Sequence, residues 1–100
     1  QERHWSLYLY LVRIIYYLYI TIFIHNMNET EFYRFIEDKL ELKKNSIKKD
    51  TILKDIEDWD SLAILTFIVV MDTDFKKKIN NKIILKAKKG IDLYKIFKSK

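Results

Sequence analysis

The amino-acid sequence predicts an all-α fold: three main helices, one short helix, and a long loop between the first and second of them. Its 100 residues are enough for one small domain. They include no proline and a single glycine, which argues against β-sandwiches and barrels because these need many tight turns. From residue 27 onward, apolar residues also recur at the spacing of helices that bury one face.

The composition excludes several kinds of functional site. Without cysteine the chain has no disulfide, no thiolate nucleophile and no cysteine-based zinc site. Its two histidines, His4 and His25, lie far from any paired carboxylates, so we expect neither a histidine-centred catalytic site nor a metal site. The net charge of +5 is mildly basic, but lysines alternate with acidic residues through most of the chain. This alternation is typical of solvated helix surfaces, and we expect no nucleic-acid partner.

Residues 1–26 form an apolar, aromatic N-terminal extension that differs from residues 27–100. Arg13 is the only charge in residues 5–24, a stretch about long enough to cross a bilayer. Its tyrosines and Arg13 are costly in hydrocarbon, and it lacks the basic start and the small-residue cleavage site of a signal peptide. We favour translation from sequence upstream of Met27; a membrane anchor and a helix packed on the domain are the alternatives. A membrane is an expected partner only if the extension belongs to the native protein.

The first helix of the domain is predicted at about 29–41. Asn28 and Glu31 resemble a capping box at its start. Apolar residues follow at helical spacing: Phe32, Phe35, Ile36 and Leu40. Residues 42–58 show no sustained period and are predicted to form a loop, a length that is uncommon and often functional. Its apolar anchors are Ile47, Ile52, Leu53 and Ile56.

The central helix is predicted at about 61–75. Phe67, Met71 and Phe75 recur every four residues, which predicts that they belong to the core. The three lysines at 76–78 follow where the helix dipole favours positive charge, and 79–81 is predicted to be a turn. Residues 82–88 fit either a short helix or a β-like run, since their apolar residues alone do not distinguish the two. Gly90 separates them from a last helix at about 91–98.

The start of the central helix is the candidate functional site. An acidic approach ends at Asp60, and an apolar run interrupted only by Thr66 occupies 62–71. Asp60 is predicted to be the N-cap, because its carboxylate can accept a hydrogen bond from the first turn. Ser61 then lies in that first turn, where free N–H groups and the helix dipole favour an attached phosphate. A serine at this position is well placed to carry a phosphate-linked group.

Residues 27–100 resemble an acyl or peptidyl carrier protein, a family whose attachment motif is similar to Asp60-Ser61-Leu62. The resemblance extends upstream over residues 45–56. Downstream, Asp72-Thr73-Asp74-Phe75 followed by Ile79 looks like the end of the family's second helix, and residues 90–96 look like the start of its last helix. The three-residue motif alone is weakly specific, but the whole pattern covers about one carrier domain.

This resemblance implies a four-helix bundle with 4'-phosphopantetheine bonded to Ser61. A phosphopantetheinyl transferase would attach the arm from coenzyme A, and its thiol would carry acyl or aminoacyl groups as thioesters between loading and transfer enzymes. The implied protein is a cytoplasmic monomer and not itself an enzyme. Asp60 would serve both as a helix cap and in recognition by the transferase, and Leu62 would support the motif.

The chain departs from the family around this motif. Trp59 stands where the family often has small residues, and resembles the Asp-Trp-Asp-Ser-Leu variants of carriers outside fatty acid synthesis. Ala63, Thr66 and Val70 stand where fatty-acid carriers have exposed acids, so we expect a specialised partner with an apolar contact surface. The residues expected to bind partners are Trp59, Ile64, Leu65, Ile68, Val69 and Asp72.

Several of these assignments have alternatives. Leu65, Ile68 and Val69 fit a partner face, a cavity for an acyl chain, or plain core. Trp59 fits an anchor for a partner or a half-buried residue that covers the bundle. For the whole domain the rival functions are a small helical binding module without the modification, and a membrane-tethered basic helical protein.

Overall fold

A computed structural model describes residues 2–99, and five α-helices make up most of this part of the chain. The helices are α1 (Glu2–His25), α2 (Glu29–Lys39), α3 (Ser61–Phe75), α4 (Asn81–Leu85) and α5 (Gly90–Lys98). Between α2 and α3 the chain makes one 3₁₀ turn, Leu53–Asp55. Residues 2–99 contain no β-strand, only a single bridge between Ile52 and Lys89. The all-α prediction is therefore confirmed.

The core lies between α2, α3 and α5, with α4 packed against α3. Its centre is aromatic: the rings of Phe32 and Phe97 stack with their centroids 4.7 Å apart, and Phe75 meets Phe97 edge-on at 4.8 Å. Phe67, Met71 and Phe75 are buried as predicted. Burial of each such side chain contributes about 1.5–3 kcal/mol.

Side-chain caps determine where three of the helices begin. The predicted capping box is present: Asn28 Oδ1 accepts from the Glu31 N–H at 2.8 Å, and Glu31 Oε1 accepts from the Asn28 N–H at 3.0 Å. Asp60 caps α3. Asn80 Oδ1 accepts from the Ile83 N–H at 3.0 Å and so starts α4, which assigns 81–85 to a helix where the sequence left a β-like run open.

The segment between α2 and α3 is held against α2 by a buried carboxylate. Glu37 is only 3% exposed, and its two oxygens accept from the N–H groups of Asn45 and Ile47 at 2.9 and 2.8 Å. Arg34 Nη1 lies 3.1 Å from Glu37 Oε2, and its Nη2 donates to the Ile47 carbonyl at 2.6 Å. Since Ile47 and Leu53 are themselves buried, the segment has both polar and apolar attachments.

The same segment also contacts the start of α5, and this contact requires glycine. The Gly90 N–H donates to the Thr51 carbonyl at 3.0 Å, and a Cβ on Gly90 would lie 2.1 Å from the Lys48 carbonyl oxygen. Beside it, Asp92 Oδ2 accepts from the N–H groups of Lys88 and Lys89 at 2.8 and 3.0 Å. These hydrogen bonds favour the ionised carboxylate and lower the pKa of Asp92.

Helix α1 extends away from the other four helices, α2 to α5, whose packed core is called the bundle below. Its large apolar side chains are mostly exposed, and only its last turn reaches the core, through Ile24 and through His25, whose ring lies 6.3 Å from that of Phe75. Trp5–His25 is apolar and long enough to cross a membrane, with none of that stretch buried in the protein. The structure therefore gives no support to the interpretation of α1 as a helix packed along the domain.

Candidate functional site

Asp60 fixes the first turn of α3. Its backbone is extended, with φ −117° and ψ −171°, and its Oδ1 accepts from the Ala63 N–H at 2.9 Å. Its carbonyl accepts from the Ile64 N–H at 3.0 Å. The predicted N-cap is confirmed, and its side chain occupies one of the four N–H groups that a helix start leaves without an intrahelical partner, that of Ala63.

Ser61 lies exposed immediately after this cap. Neither its hydroxyl nor the N–H groups of Ser61 and Leu62 form a hydrogen bond to any of the residues 2–99. These free N–H groups and the dipole of a 15-residue helix give the site a positive end. Leu62 is 70% exposed and leaves the hydroxyl open to solvent, so an incoming group can reach it.

One groove beside Ser61 is polar and bears more negative than positive charge. It has a volume of about 410 Å³, and the charged side chains that line it are Lys39, Glu41, Asp58 and Asp60. The side chains around Ser61 therefore do not themselves form an anion site. An anion on Ser61 would be held by the backbone N–H groups, while water and salt screen the exposed carboxylates.

A second groove next to the motif is mainly apolar and has a volume of about 390 Å³. It lies between the segment before α3, α3 itself and α4. Seven apolar residues line it: Ile52, Leu53, Trp59, Ile64, Ile84, Leu85 and Ala87. Trp59 is half-buried and its ring meets that of Phe67 at 6.5 Å, which agrees with a residue that covers the bundle. Ile64 is half-buried between this groove and the core.

The exposed face of α3 is an apolar stripe formed by Leu62, Leu65 and Val69. Asp72 and Thr73 continue it as exposed polar residues. Ile68 is half-buried and packs on the core. Of the three residues predicted as a cavity lining or a partner face, Leu65 and Val69 are thus on the surface, and none of the three lines the apolar groove.

The expectation that Ala63 and Val70 occupy exposed positions of this helix is wrong. They are only 5% and 7% exposed, on the same side as Phe67 and Met71. Residues 63, 67 and 70 share one face of a helix, so a face chosen to bury Phe67 also buries the other two. The exposed face of α3 is nevertheless apolar, because Leu62, Leu65 and Val69 occupy it.

Sequence reasoning missed the groove residues outside the motif and the buried ion pair on α2. Ile84, Leu85 and Ala87 were not assigned to a site because 82–88 had no definite secondary structure. Glu37 follows the buried Tyr33 by one helical turn, and this spacing was the available signal for its burial. Its hydrogen-bond partners are backbone groups of a loop, which no sequence pattern indicates.

Comparison with family models, with curated protein sequences and with solved structures finds no significant match to this chain.

Proposed function

We propose that residues 27–100 form a carrier domain that holds acyl or aminoacyl groups on a 4'-phosphopantetheine arm bonded to Ser61 Oγ. The observation that supports this most is the exposed, unbonded hydroxyl of Ser61 beside two free N–H groups at the start of a buried helix. The resemblance of the residues around Asp60-Ser61-Leu62 to carrier proteins suggests that the group attached there is phosphopantetheine. The protein would be modified by a phosphopantetheinyl transferase and would work with separate loading and transfer enzymes.

The residues present fit the phosphodiester of such an arm. Its single negative charge would lie at the N-terminus of α3, where the N–H groups of Ser61 and Leu62 are available to donate. Asp60 already uses one carboxylate oxygen on the Ala63 N–H, so the cap would persist in the modified protein. When attached, the arm supplies a thiol that holds the carried group as a thioester; the protein supplies attachment and recognition.

The apolar groove gives the carried group a place to rest. It begins at Trp59 and Ile64, the residues two before and three after Ser61. An aliphatic acyl chain that enters it would gain about 0.8 kcal/mol for each methylene removed from water. An aminoacyl group is polar and short and gains little there. The groove thus favours an acyl cargo over an aminoacyl one.

The exposed stripe of α3 is the surface we assign to partner enzymes. Leu62, Leu65 and Val69 are exposed on one side of the helix that begins at Ser61, and Asp72 ends this stripe. Apolar contacts are little affected by salt, whereas an acidic docking face is weakened by it. Binding of a partner enzyme is therefore expected to change little with ionic strength.

Mass spectrometry of the intact protein tests the proposal. The full chain is incubated with coenzyme A, Mg²⁺ and phosphopantetheinyl transferases of broad specificity, beside Ser61→Ala and Ser46→Ala. Ser46 is a matched control because its hydroxyl donates to the Lys43 carbonyl, outside the motif. The expected result is a gain of one phosphopantetheinyl group in the wild type and in Ser46→Ala, and none in Ser61→Ala. No gain with any transferase, including those of the source organism, would reject the carrier function.

The exposed apolar stripe also favours a second candidate, a helical binding module in which Ser61 is only a first-turn residue. The two candidates differ in the role of the hydroxyl. For a binding module, Ser61→Ala leaves binding intact while Leu65→Ser on the stripe weakens it. For a carrier, Ser61→Ala removes the modification completely and with it every transfer to a partner.

A further inference from the structure

We propose that α1 spans a lipid bilayer that contains anionic lipids, and that the lysines at 76–78 lie on its headgroups. Lipid would then cover the exposed apolar side chains of α1. This inference goes beyond the carrier function and does not depend on it. It rests on the length and exposure of α1 and on the charge of the bundle at the point where α1 leaves it.

The length of α1 matches a bilayer, and its surface is apolar on all sides. The 21 residues of Trp5–His25 extend about 32 Å at 1.5 Å per residue, close to the thickness of the hydrocarbon core. No part of this stretch is buried in the protein. Exposed large apolar residues lie at successive positions around the helix, such as Leu9, Leu11, Val12 and Ile14. A helix that lies flat in the headgroup region needs one polar face instead, so a span is favoured.

Arg13 and the aromatic residues are compatible with this placement. A mid-span arginine is costly in hydrocarbon, and the eleven Leu, Ile, Val and Phe residues of Trp5–His25 favour insertion and offset that cost. Tyr10 and Tyr17 lie three residues before and four residues after Arg13, on the same side of the helix, and a phenol hydroxyl is a type of acceptor that a guanidinium can use in a span. Trp5 and Tyr8 meet edge-on at 6.2 Å near the far end, where aromatic residues prefer the interface.

The longest run of consecutive lysines in the chain, 76–78, lies where α1 joins the other helices. His25, the last residue of α1, contacts Phe75, the last residue of α3, and three lysines follow Phe75 directly. Lys76 and Lys78 are exposed. Lys77 Nζ donates to the Ser99 carbonyl, which brings Lys98 to the same end of the molecule. Lysines near an anionic surface are attracted to its headgroups, and such clusters remain on the cytoplasmic side of a span.

This arrangement directs the start of α3 away from the membrane. Ser61 and Phe75 are the two ends of α3, about 21 Å apart at 1.5 Å per residue, and α1 contacts the Phe75 end. The lysines at 76–78 would face the headgroups, while Asp60 and Ser61 face the aqueous phase. A group carried on Ser61 would thus remain accessible to soluble enzymes; this consequence alone rests on the proposed function.

The two tryptophans provide a direct test, since one lies on each part of the protein. The full chain is reconstituted in phosphatidylcholine vesicles with 30 mol% phosphatidylserine, in which the acyl chains carry bromine as a fluorescence quencher. In Trp59→Phe only Trp5 reports, and in Trp5→Phe only Trp59 reports. We expect bromolipid to quench Trp5 at least twofold and to leave Trp59 within a tenth of its value in unbrominated vesicles. Equal quenching of both, or quenching of neither, overturns the proposal.

Extraction separates a span from surface binding and from self-association. A spanning chain stays with the vesicles in alkaline carbonate and in 1 M salt. Release by either treatment contradicts the span. Self-association is the other alternative, in which two copies of α1 cover each other. An unquenched Trp5 together with a dimer in sedimentation would therefore also contradict the span.

The lysines are tested by a charge-matched pair of triple variants. One variant replaces Lys76, Lys77 and Lys78 by glutamine. The other replaces Lys43, Lys44 and Lys54, which belong to the segment between α2 and α3. The first is expected to slow association with anionic vesicles about fivefold or more at low salt, with little change for neutral vesicles, and the second to slow it less than twofold. Equal rates for the two variants overturn the assignment of the lysines to the headgroups.

Discussion

Helices α1 and α3 are the two most apolar elements of the protein, and they lie in opposite surroundings. Phe67 and Met71 of α3 are fully buried among side chains of α2, α4 and α5. The side chains of Tyr8, Leu9 and Leu18, in α1, remain more than half exposed. Apolar composition thus does not by itself determine burial in this chain. The surroundings differ because α3 follows a cap and a segment that is attached to α2, which hold it against the other helices. Within residues 2–99, helix α1 has no other helix beside it along most of its length.

The largest expected effect is the difference in free energy of unfolding between a side-chain truncation in α3 and one in α1. Phe67→Ala is expected to lower the free energy of unfolding of the bundle by about 3–5 kcal/mol, because it leaves a cavity at the centre of the core. Leu18→Ala, on exposed α1, should change it by less than about 0.5 kcal/mol. Urea unfolding followed by Trp59 fluorescence in a Trp5→Phe background, in a nonionic detergent that disperses α1, measures both.

Phe67→Leu keeps this comparison usable if the alanine variant does not fold, with an expected loss of about 1–1.5 kcal/mol. Equal losses for Phe67→Leu and Leu18→Ala would mean that α1 packs on the bundle as closely as α3 does.

The next effect concerns the buried carboxylate that holds the segment before α3. Glu37→Ala should cost about 3 kcal/mol, because it leaves the N–H groups of Asn45 and Ile47 without an acceptor and Arg34 without its carboxylate. Hydrogen exchange at the Asn45 and Ile47 amides should become faster. Glu37→Gln keeps one acceptor oxygen and is expected to lose less. Unchanged exchange in Glu37→Ala would show that the segment is held by Ile47 and Leu53 alone.

The cap of α3 has a smaller effect on stability and a separable effect on modification. Asp60→Ala should cost about 1–2 kcal/mol, since the Ala63 N–H loses its acceptor. Asp60→Asn keeps an acceptor and should cost only a few tenths. If the carboxylate is also recognised by the transferase, Asp60→Asn lowers the rate of modification while the melting temperature stays nearly unchanged. Equal modification rates in Asp60→Asn and wild type would limit Asp60 to its role as a cap.

The smallest expected effect is the pH dependence contributed by Asp92. Its pKa in the folded protein is lowered, chiefly by the hydrogen bonds from Lys88 and Lys89, so its contribution to stability is present above the unfolded pKa, near 3.8. That contribution is lost as pH falls from there through the folded pKa. At pH 7, Asp92→Asn should cost about 0.5–1 kcal/mol, and the difference from wild type should shrink below pH 4. Unfolding curves of both proteins at pH 7 and pH 3 measure this; a constant difference would contradict it.

The helix starts were predictable from the sequence because each depends on a residue adjacent to it. Asn28 and Asp60 act within one turn, so α2 and α3 begin where expected. Asn80 has the same role, but it was predicted to be in a turn, and the short run after it fits two structures. Local hydrogen bonds of this kind are specified by two or three neighbouring residues.

The orientation of α3 was predicted only in part: Phe67, Met71 and Phe75 were correctly assigned to the core, but residues 62–71 are apolar except for Thr66. Such a run has no polar face to identify the solvent side. The resemblance to fatty-acid carriers therefore led to the expectation that Ala63 and Val70 lie on the surface, which Leu62, Leu65 and Val69 occupy instead. Burial of Glu37 was unpredictable for another reason. Its partners are backbone groups of residues eight and ten positions further along the chain, and their approach depends on the whole fold.

The most direct test of the carrier proposal is the mass of the peptide that contains Ser61, in the protein isolated from its native source. The chain is purified without added transferase and digested, and the peptide that contains Asp60-Ser61-Leu62 is analysed by mass spectrometry. We expect a phosphopantetheinyl group on Ser61 in at least part of the protein. An unmodified Ser61 throughout, in cells whose other carrier proteins are modified, would contradict the carrier function.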